Sequence, residues 1–375
     1  MFEPGKYLQR AFQIVWNYKV LWIFAFLIAL FGGSSSGAPS FNYRFGNNST
    51  ANDFRGFDQL QRTSPEFERV AQWFQQNVDP LFATQAKAIT TVLIIMAIFI
   101  GLALICGLIA ALIRYPAETA VLRMVDEHER SGAKLRFKEG WKLGWNHRAW
   151  RMFLVDLLIG TPAFALFGFL FGGLAIYMAS NSERLEAAMT PGFFVWMAVA
   201  FFLFIGLAFL MLVVGLVRQY IVRKIALEDA GVWEGFRQGW DMFKKSLKHT
   251  LLTWLIMLGI GFGMGIVLFV VAMLLIPAYV LLAIPGAVVA AIPALIGYGI
   301  AALFSGPVLP WIIAAALGLP VFFLVVFSPM TLVGGLYSVF SLNVWTLLYR
   351  DRAASLAAQQ VAPPLPGEVP PLPQQ

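Results

Sequence analysis

Charge is scarce in this chain and cysteine almost absent. Asp, Glu, Lys and Arg make up 13% of the 375 residues, about half the ~25% usual in a soluble domain. The single cysteine, Cys106, excludes an intrachain disulfide. It sits among Leu and Ile and reads as a small buried apolar residue. The three histidines, His128, His147 and His249, show no His-x-x-x-His spacing and have no paired Cys to join them in a zinc site. Phosphate loops and dinucleotide fingerprints are missing. Gly33-Ser34-Ser35-Ser36-Gly37 has the Gly-x-Ser-x-Gly spelling, but it lies in a low-complexity stretch rather than at a strand-to-helix elbow. The sequence therefore offers no catalytic, cofactor-binding or metal-ligating residues, and the expectation is a protein that is not an enzyme.

What is present is apolar. Hydrophobic residues form 59% of the chain, and between His249 and Arg350 lie 100 consecutive residues without one Asp, Glu, Lys or Arg. A helical crossing needs only ~20 apolar residues, so the expected class is an all-α integral membrane protein. The net charge of +7 could suggest nucleic acid, but no binding module accompanies it. If segments are placed alternately inside and outside, 21 of the 27 Lys/Arg fall inside, within the first residues, Arg114–Arg151, Arg218–Lys248 and the end of the chain. That asymmetry orients a multi-pass protein of the cytoplasmic (inner) membrane with both termini in the cytoplasm. Anionic headgroups on the cytoplasmic side are then the natural partner.

The spans read as follows. Span 1 is Tyr18–Phe31, short, and taken as an uncleaved membrane helix rather than a signal peptide. Residues 32–87 form an outside loop with an interfacial helix over 63–78, capped by Thr63 and Ser64 and apolar at Phe67, Val70, Phe74 and Val78. Spans 2, 3 and 4 are Ala88–Ile113, Trp150–Met178 and Gly192–Val217. The charge-free stretch begins and ends inside, so it crosses an even number of times. Four crossings fit its length, giving eight spans, with six spans plus a re-entrant hairpin as the alternative. Pro277, Pro285, Pro293, Pro307, Pro310 and Pro320 predict breaks there. Residues 1–352 form the membrane domain. Residues 353–375 read as a disordered cytoplasmic tail, whose Pro363-Pro364-Leu365-Pro366 and Pro370-Pro371-Leu372-Pro373 blocks favour polyproline II and have the spacing of a ligand for a protein partner.

One pattern recurs. Glu139-Gly140-Trp141-Lys142-Leu143-Gly144-Trp145 matches Glu234-Gly235-Phe236-Arg237-Gln238-Gly239-Trp240, and Ala11-Phe12-Gln13-Ile14-Val15-Trp16 is a fainter copy. Each has a large apolar residue every fourth position (Leu8/Phe12/Trp16, Phe137/Trp141/Trp145, Val232/Phe236/Trp240) in a basic helix ahead of a span. This predicts interfacial helices anchored by Trp16, Trp141, Trp145, Phe236 and Trp240. Gly140, Gly144, Gly235 and Gly239 are candidates for close packing against another helix, since glycine inside a helix is otherwise unfavourable. The implied architecture is three parallel repeats, about 1–115, 130–225 and 228–352, each an interfacial helix plus two transmembrane helices, with an extra apolar hairpin in the third.

Asp156 is the one charge that the span assignment places inside the membrane, and Asn343 lies in the last span. Asp156 reads either as the structural partner of Arg148, Arg151 or Arg218, or as a proton- or substrate-carrying group. Asn343 reads as an interhelical hydrogen-bonding residue. With Tyr18-Lys19-Val20-Leu21-Trp22 opening span 1 and Trp345-Thr346-Leu347-Leu348-Tyr349-Arg350 closing the last, the chain resembles uncharacterised prokaryotic polytopic membrane proteins similar to the membrane domain of glycerophosphodiester phosphodiesterases. The resemblance implies a membrane module without the hydrolase, because no catalytic domain follows. Two function classes stand: a non-catalytic module that binds lipid or assembles with partners, and a transporter or permease subunit with a path near Asp156.

Overall fold

In the computed structural model the described residues are 4–32, 84–180, 191–304, 306 and 308–361, with Gln72, Trp73 and Gln76. They form helices: α1 Pro4–Asn17, α2 Val20–Phe31, α3 Gln85–Ser131, α4 Phe137–Gly144, α5 His147–Ser180, α6 Pro191–Glu228, α7 Val232–Lys245, α8 Leu247–Leu274, α9 Ile276–Ala302, α10 Leu309–Val326 and α11 Ser328–Val361. Seven of them are long and apolar enough to cross a membrane, and α1 with α2, bent by 100° at their junction, would supply an eighth crossing. The protein is an all-α, multi-pass membrane protein. Apart from Gln72, Trp73 and Gln76, the interfacial helix expected over 63–78 lies outside the described residues, as does most of the 32–87 loop.

Two compact units divide the chain. The first comprises Met1–Pro39, Ala111–Gly261 and Gly334–Gln375; the second comprises Ser40–Ala110 and Phe262–Val333. The core of the first unit is built from Ala11, Ile14 and Val15 of α1, Phe24 and Ile28 of α2, Val121 and Val125 of α3, Met152 of α5, Tyr220 and Ile225 of α6, Phe243 of α7, and Leu342 and Trp345 of α11. Polar contacts tie its corners. The Tyr18 hydroxyl donates to the Leu135 carbonyl at 2.8 Å, Lys134 Nζ to the Asn17 carbonyl at 3.1 Å, and Arg10 Nε to Glu129 at 2.9 Å. Together these hold the α1–α2 corner against the end of α3 and the segment after it. In the second unit α9 lies along α10 through small residues. A Cβ on Gly297 would fall 2.5 Å from Leu317 Cδ1, and one on Gly318 would fall 3.0 Å from the Ala294 Cβ. Such close approach is how apolar helices associate where lipid removes the hydrophobic drive.

Several boundaries differ from the sequence reading. The charge-free stretch does hold four helices, α8 to α11. Pro277 and Pro310 start helices, but Pro285, Pro293 and Pro320 lie inside α9 and α10. Apolar helices tolerate proline because packed neighbours and local adjustment satisfy the freed carbonyl. Pro307 falls outside the described residues. Helix α11 runs to Val361, nine residues into the expected tail. The reason is local: Ala353, Ala354, Leu356, Ala357, Ala358 and the two following glutamines are good helix formers, and proline begins only at Pro363. Cys106 is exposed rather than buried, on a part of α3 whose Leu104, Ile105, Leu108 and Ile109 are exposed as well. Helices α3 and α6 also continue well past the apolar runs that defined spans 2 and 4.

Candidate functional site

Because α3 and α6 continue, charges assigned to inside loops are instead carried on packed helix. Arg114 and Glu118 sit four residues apart on α3, and Arg218 sits on α6. They meet Asp156 of α5. Arg218 donates from Nε to Asp156 Oδ1 and from Nη2 to Oδ2 at 2.8 Å, while the Tyr115 hydroxyl donates to Oδ2 at 2.9 Å. Arg114 Nη2 stands 3.7 Å from the same carboxylate, and Glu118 lies 3.6 Å from Arg218 Nη2. Two carboxylates thus face two guanidiniums across three helices. Asp156 is therefore not the sole charge within the spanning helices. Of its three candidate partners Arg218 is the one engaged; Arg148 and Arg151 turn to Asp229. A carboxylate gripped by a forked guanidinium is a strong, geometrically specific pair.

Arg223, 1% exposed, is the largest fully buried side chain among the described residues. Its Nε donates to Thr346 Oγ1 at 3.3 Å, Nη1 to the Gln219 carbonyl and Oε1, and Nη2 to the Leu342 carbonyl at 3.0 Å. This joins α6 to α11. The interhelical bond expected of Asn343 is not made: the residue is buried, yet neither Nδ2 nor Oδ1 meets a partner. Arg223 bridges instead, through the carbonyl next to Asn343 and through Thr346. Further along the same helices Tyr349 donates to Glu228, and Arg350 Nη1 donates to Asp126 of α3 at 2.6 Å. Sequence reasoning named Arg218 among three candidate partners of Asp156 but missed Arg114, Tyr115, Glu118 and Arg223, because it ended spans 2 and 4 at their first charge. The available signal was the helical spacing of Arg114 and Glu118, which continues the apolar helix rather than breaking it.

The basic helices occupy α1, α4 and α7, and in α4 and α7 the matched residues do matching jobs. The Arg136 amide donates to the Glu139 side chain at 2.8 Å, and the Gly231 amide reaches Glu234 at 3.5 Å. In each, a glutamate three residues in caps the helix start. Gly140 and Gly144 of α4 pack against α3, where a Cβ would fall 2.2 Å from Met124 Sδ and 2.1 Å from the Pro116 carbonyl oxygen. Gly235 and Gly239 of α7 pack against α6, where a Cβ would fall 3.0 Å from Ile225 and 2.7 Å from Ile221. In α1 the buried side is Ala11, Ile14 and Val15. The large residues mostly point elsewhere. Phe12, Trp16, Trp145 and Trp240 are about half exposed and Trp233 more so, whereas Trp141 and Phe236 are half-buried against the core. Phe12 stacks on Trp16, and Trp141 lies beside both Trp145 and Phe24.

At the far end of α6, Asp229 has φ +61°, while Gly132 occupies the corresponding left-handed position after α3 with φ +72°. Asp229 Oδ1 receives His147 Nε2 at 2.8 Å and Arg151 Nη1 at 3.0 Å, with Arg148 Nε 3.2 Å away. The hydrogen bond from His147, aided by Arg148, holds this carboxyl below the usual carboxylate range. Among the described residues no group of three or more His, Cys, Asp or Glu side chains is placed to hold a metal ion.

A family model described as a family of unknown function, DUF7544, matches residues 11–352. Neither the curated proteins nor the solved structures give a match.

Proposed function

The chain belongs to the DUF7544 family, and on that premise we propose that it is a non-catalytic membrane module that binds the anionic lipids of the cytoplasmic leaflet. In this reading both termini face the cytoplasm. The observation that carries it is the division of labour on the basic helices: the glycines of α4 and α7 face the protein, while Phe12, Trp16, Trp145, Trp233 and Trp240 are left exposed on helices rich in Lys and Arg. A helix of that kind lies in the headgroup region, apolar rings toward the acyl chains and cations toward phosphate. Assembly with a protein partner would use the same exposed surfaces. The permease alternative loses its best residue, since both oxygens of Asp156 are committed to Arg218 and Tyr115. A relationship to the membrane domain of glycerophosphodiester phosphodiesterases is part of the same proposal and carries no hydrolysis with it.

Native mass spectrometry of the purified full chain, titrated with phosphatidylglycerol or phosphatidylcholine, tests the proposal. Preferential retention of phosphatidylglycerol is the expected result. Equal retention of the two lipids would refute it.

A further inference from the structure

We propose that His147, Arg148 and Arg151 form a phosphate site for one anionic phospholipid headgroup, and that Asp229 is its built-in competitor. The inference rests on the lipid-binding reading and locates it. Three cationic or imidazole groups of α5 converge on one oxygen of one carboxylate. Arg123 stands close enough to act electrostatically on both Arg148 and Asp229. The balance is unequal: one carboxylate faces two guanidiniums and an imidazole, while Arg123 is itself offset by Asp126 and Glu127. A phosphate diester carries the charge the cluster lacks, and its two free oxygens suit forked Arg donors better than a single carboxylate oxygen does. The site is accessible, because the side chains of His147 and Asp229 are 53% and 41% exposed and that of Arg151 is 34% exposed.

Two observations point to lipid as the source of the phosphate. The cluster lies at the start of α5, a helix whose following residues Leu154, Leu157 and Leu158 are exposed and apolar. Trp145, half exposed, flanks it and packs edge-on against Trp150. A headgroup held here would have its acyl chains beside those rings and leucines. The backbone at Asp229 is a further sign. A left-handed residue that ends a helix is usually glycine, as Gly132 is after α3. Here aspartate occupies that conformation, and its carboxylate is spent on the cations of α5.

The test uses the full chain and titrates phosphatidylglycerol against wild type, Asp229→Asn and Arg151→Gln. Asparagine also accepts positive φ, so Asp229→Asn keeps the turn while removing the competing charge. The expected result is tighter retention of one lipid by Asp229→Asn and weaker retention by Arg151→Gln, each on the order of tenfold for one charged contact. A millimolar excess of inorganic phosphate should leave retention unchanged, and displacement by it would overturn the lipid assignment in favour of a soluble anion. If wild type still prefers phosphatidylglycerol but Asp229→Asn does not tighten it, this site falls and the broader lipid reading stands. If wild type shows no preference, both fall.

Discussion

Substituting alanine for single glycines along α4 and α7 separates close packing from helix propensity. On a free helix Gly→Ala stabilises by about 1 kcal/mol. At Gly144 the new Cβ would lie 2.1 Å from the Pro116 carbonyl oxygen and 2.8 Å from the Ala120 Cβ. Carbon contacts settle at ~3.5–4.0 Å, so α4 must back away from α3, and the obstacle is backbone that cannot rotate aside. Overpacking of this kind costs ~1–3 kcal/mol. Set against the propensity gain, Gly144→Ala should lose up to about 2 kcal/mol. Gly239→Ala meets Ile221 Cγ1 at 2.7 Å and its backbone nitrogen at 3.0 Å, and should lose somewhat less. Gly140→Ala meets Met124 Sδ at 2.2 Å, but a thioether turns away easily, so that variant should lie near wild type. Gly5→Ala, with nothing within 4 Å, should be neutral or slightly stabilised. Thermal unfolding of the purified chain in one detergent gives the order Gly5, then Gly140, then Gly239, with Gly144 lowest. A Gly144→Ala melting temperature at or above wild type would refute the argument that this glycine is there for contact.

Three further outcomes follow from the same structure. Asp156→Asn strips Arg218 of its forked partner, and breaking a buried pair costs ~3–5 kcal/mol; Asp156→Leu combined with Arg218→Met should recover most of it, and a single variant that melts like wild type would contradict the pairing. In a Cys106→Ala background, an impermeant thiol reagent on intact cells should label cysteines placed near Ser49 and Glu186 and spare one at Lys142, whereas labelling at Lys142 would invert the orientation. The Asp229 carboxyl is held below its ordinary range, so the stabilisation it lends is complete above the ordinary carboxylate pKa of ~3.9 and is lost as pH falls through the lowered value. The gap in melting temperature between wild type and Asp229→Asn should therefore hold steady from pH ~7 to ~5 and close only in stronger acid; a gap that closes near neutrality would point to another group.

The helical membrane class was legible because apolar runs of this length have few other destinations. Four helices in the charge-free stretch follow from length alone. The basic helices were legible too, since a fourfold apolar ridge among Lys and Arg survives any uncertainty about what surrounds it. Of the polar core only Asp156 and its candidate partner Arg218 were legible. A charge that ends an apolar run reads as the edge of a span, and only the tertiary partner distinguishes Arg218, clasped by Asp156, from Arg237 out on α7. Asn343 shows the converse failure: an amide in a span promises a hydrogen bond, but whether a neighbour meets it depends on rotations of whole helices. The reading also set the large ridge residues of the basic helices as a single anchor face, whereas Trp141 and Phe236 turn partly inward and Trp16, Trp145 and Trp240 remain outside. A period of four on a helix of 3.6 residues per turn drifts around the axis, so successive members of one ridge need not share an environment.

Helix α11 carries a consequence for how the chain is made. Its Tyr349 and Arg350 answer Glu228 on α6 and Asp126 on α3, and its Thr346 and Leu342 carbonyl receive Arg223. All three of those waiting side chains are synthesised more than a hundred residues earlier. During insertion, then, a buried guanidinium and two carboxylates stand without these partners until the last helix enters. That interval is when a membrane chaperone or quality-control protease would find something to hold. Variants such as Arg350→Ala or Thr346→Val should accordingly lower the amount of protein that accumulates in cells more than they lower the melting temperature of the protein that survives.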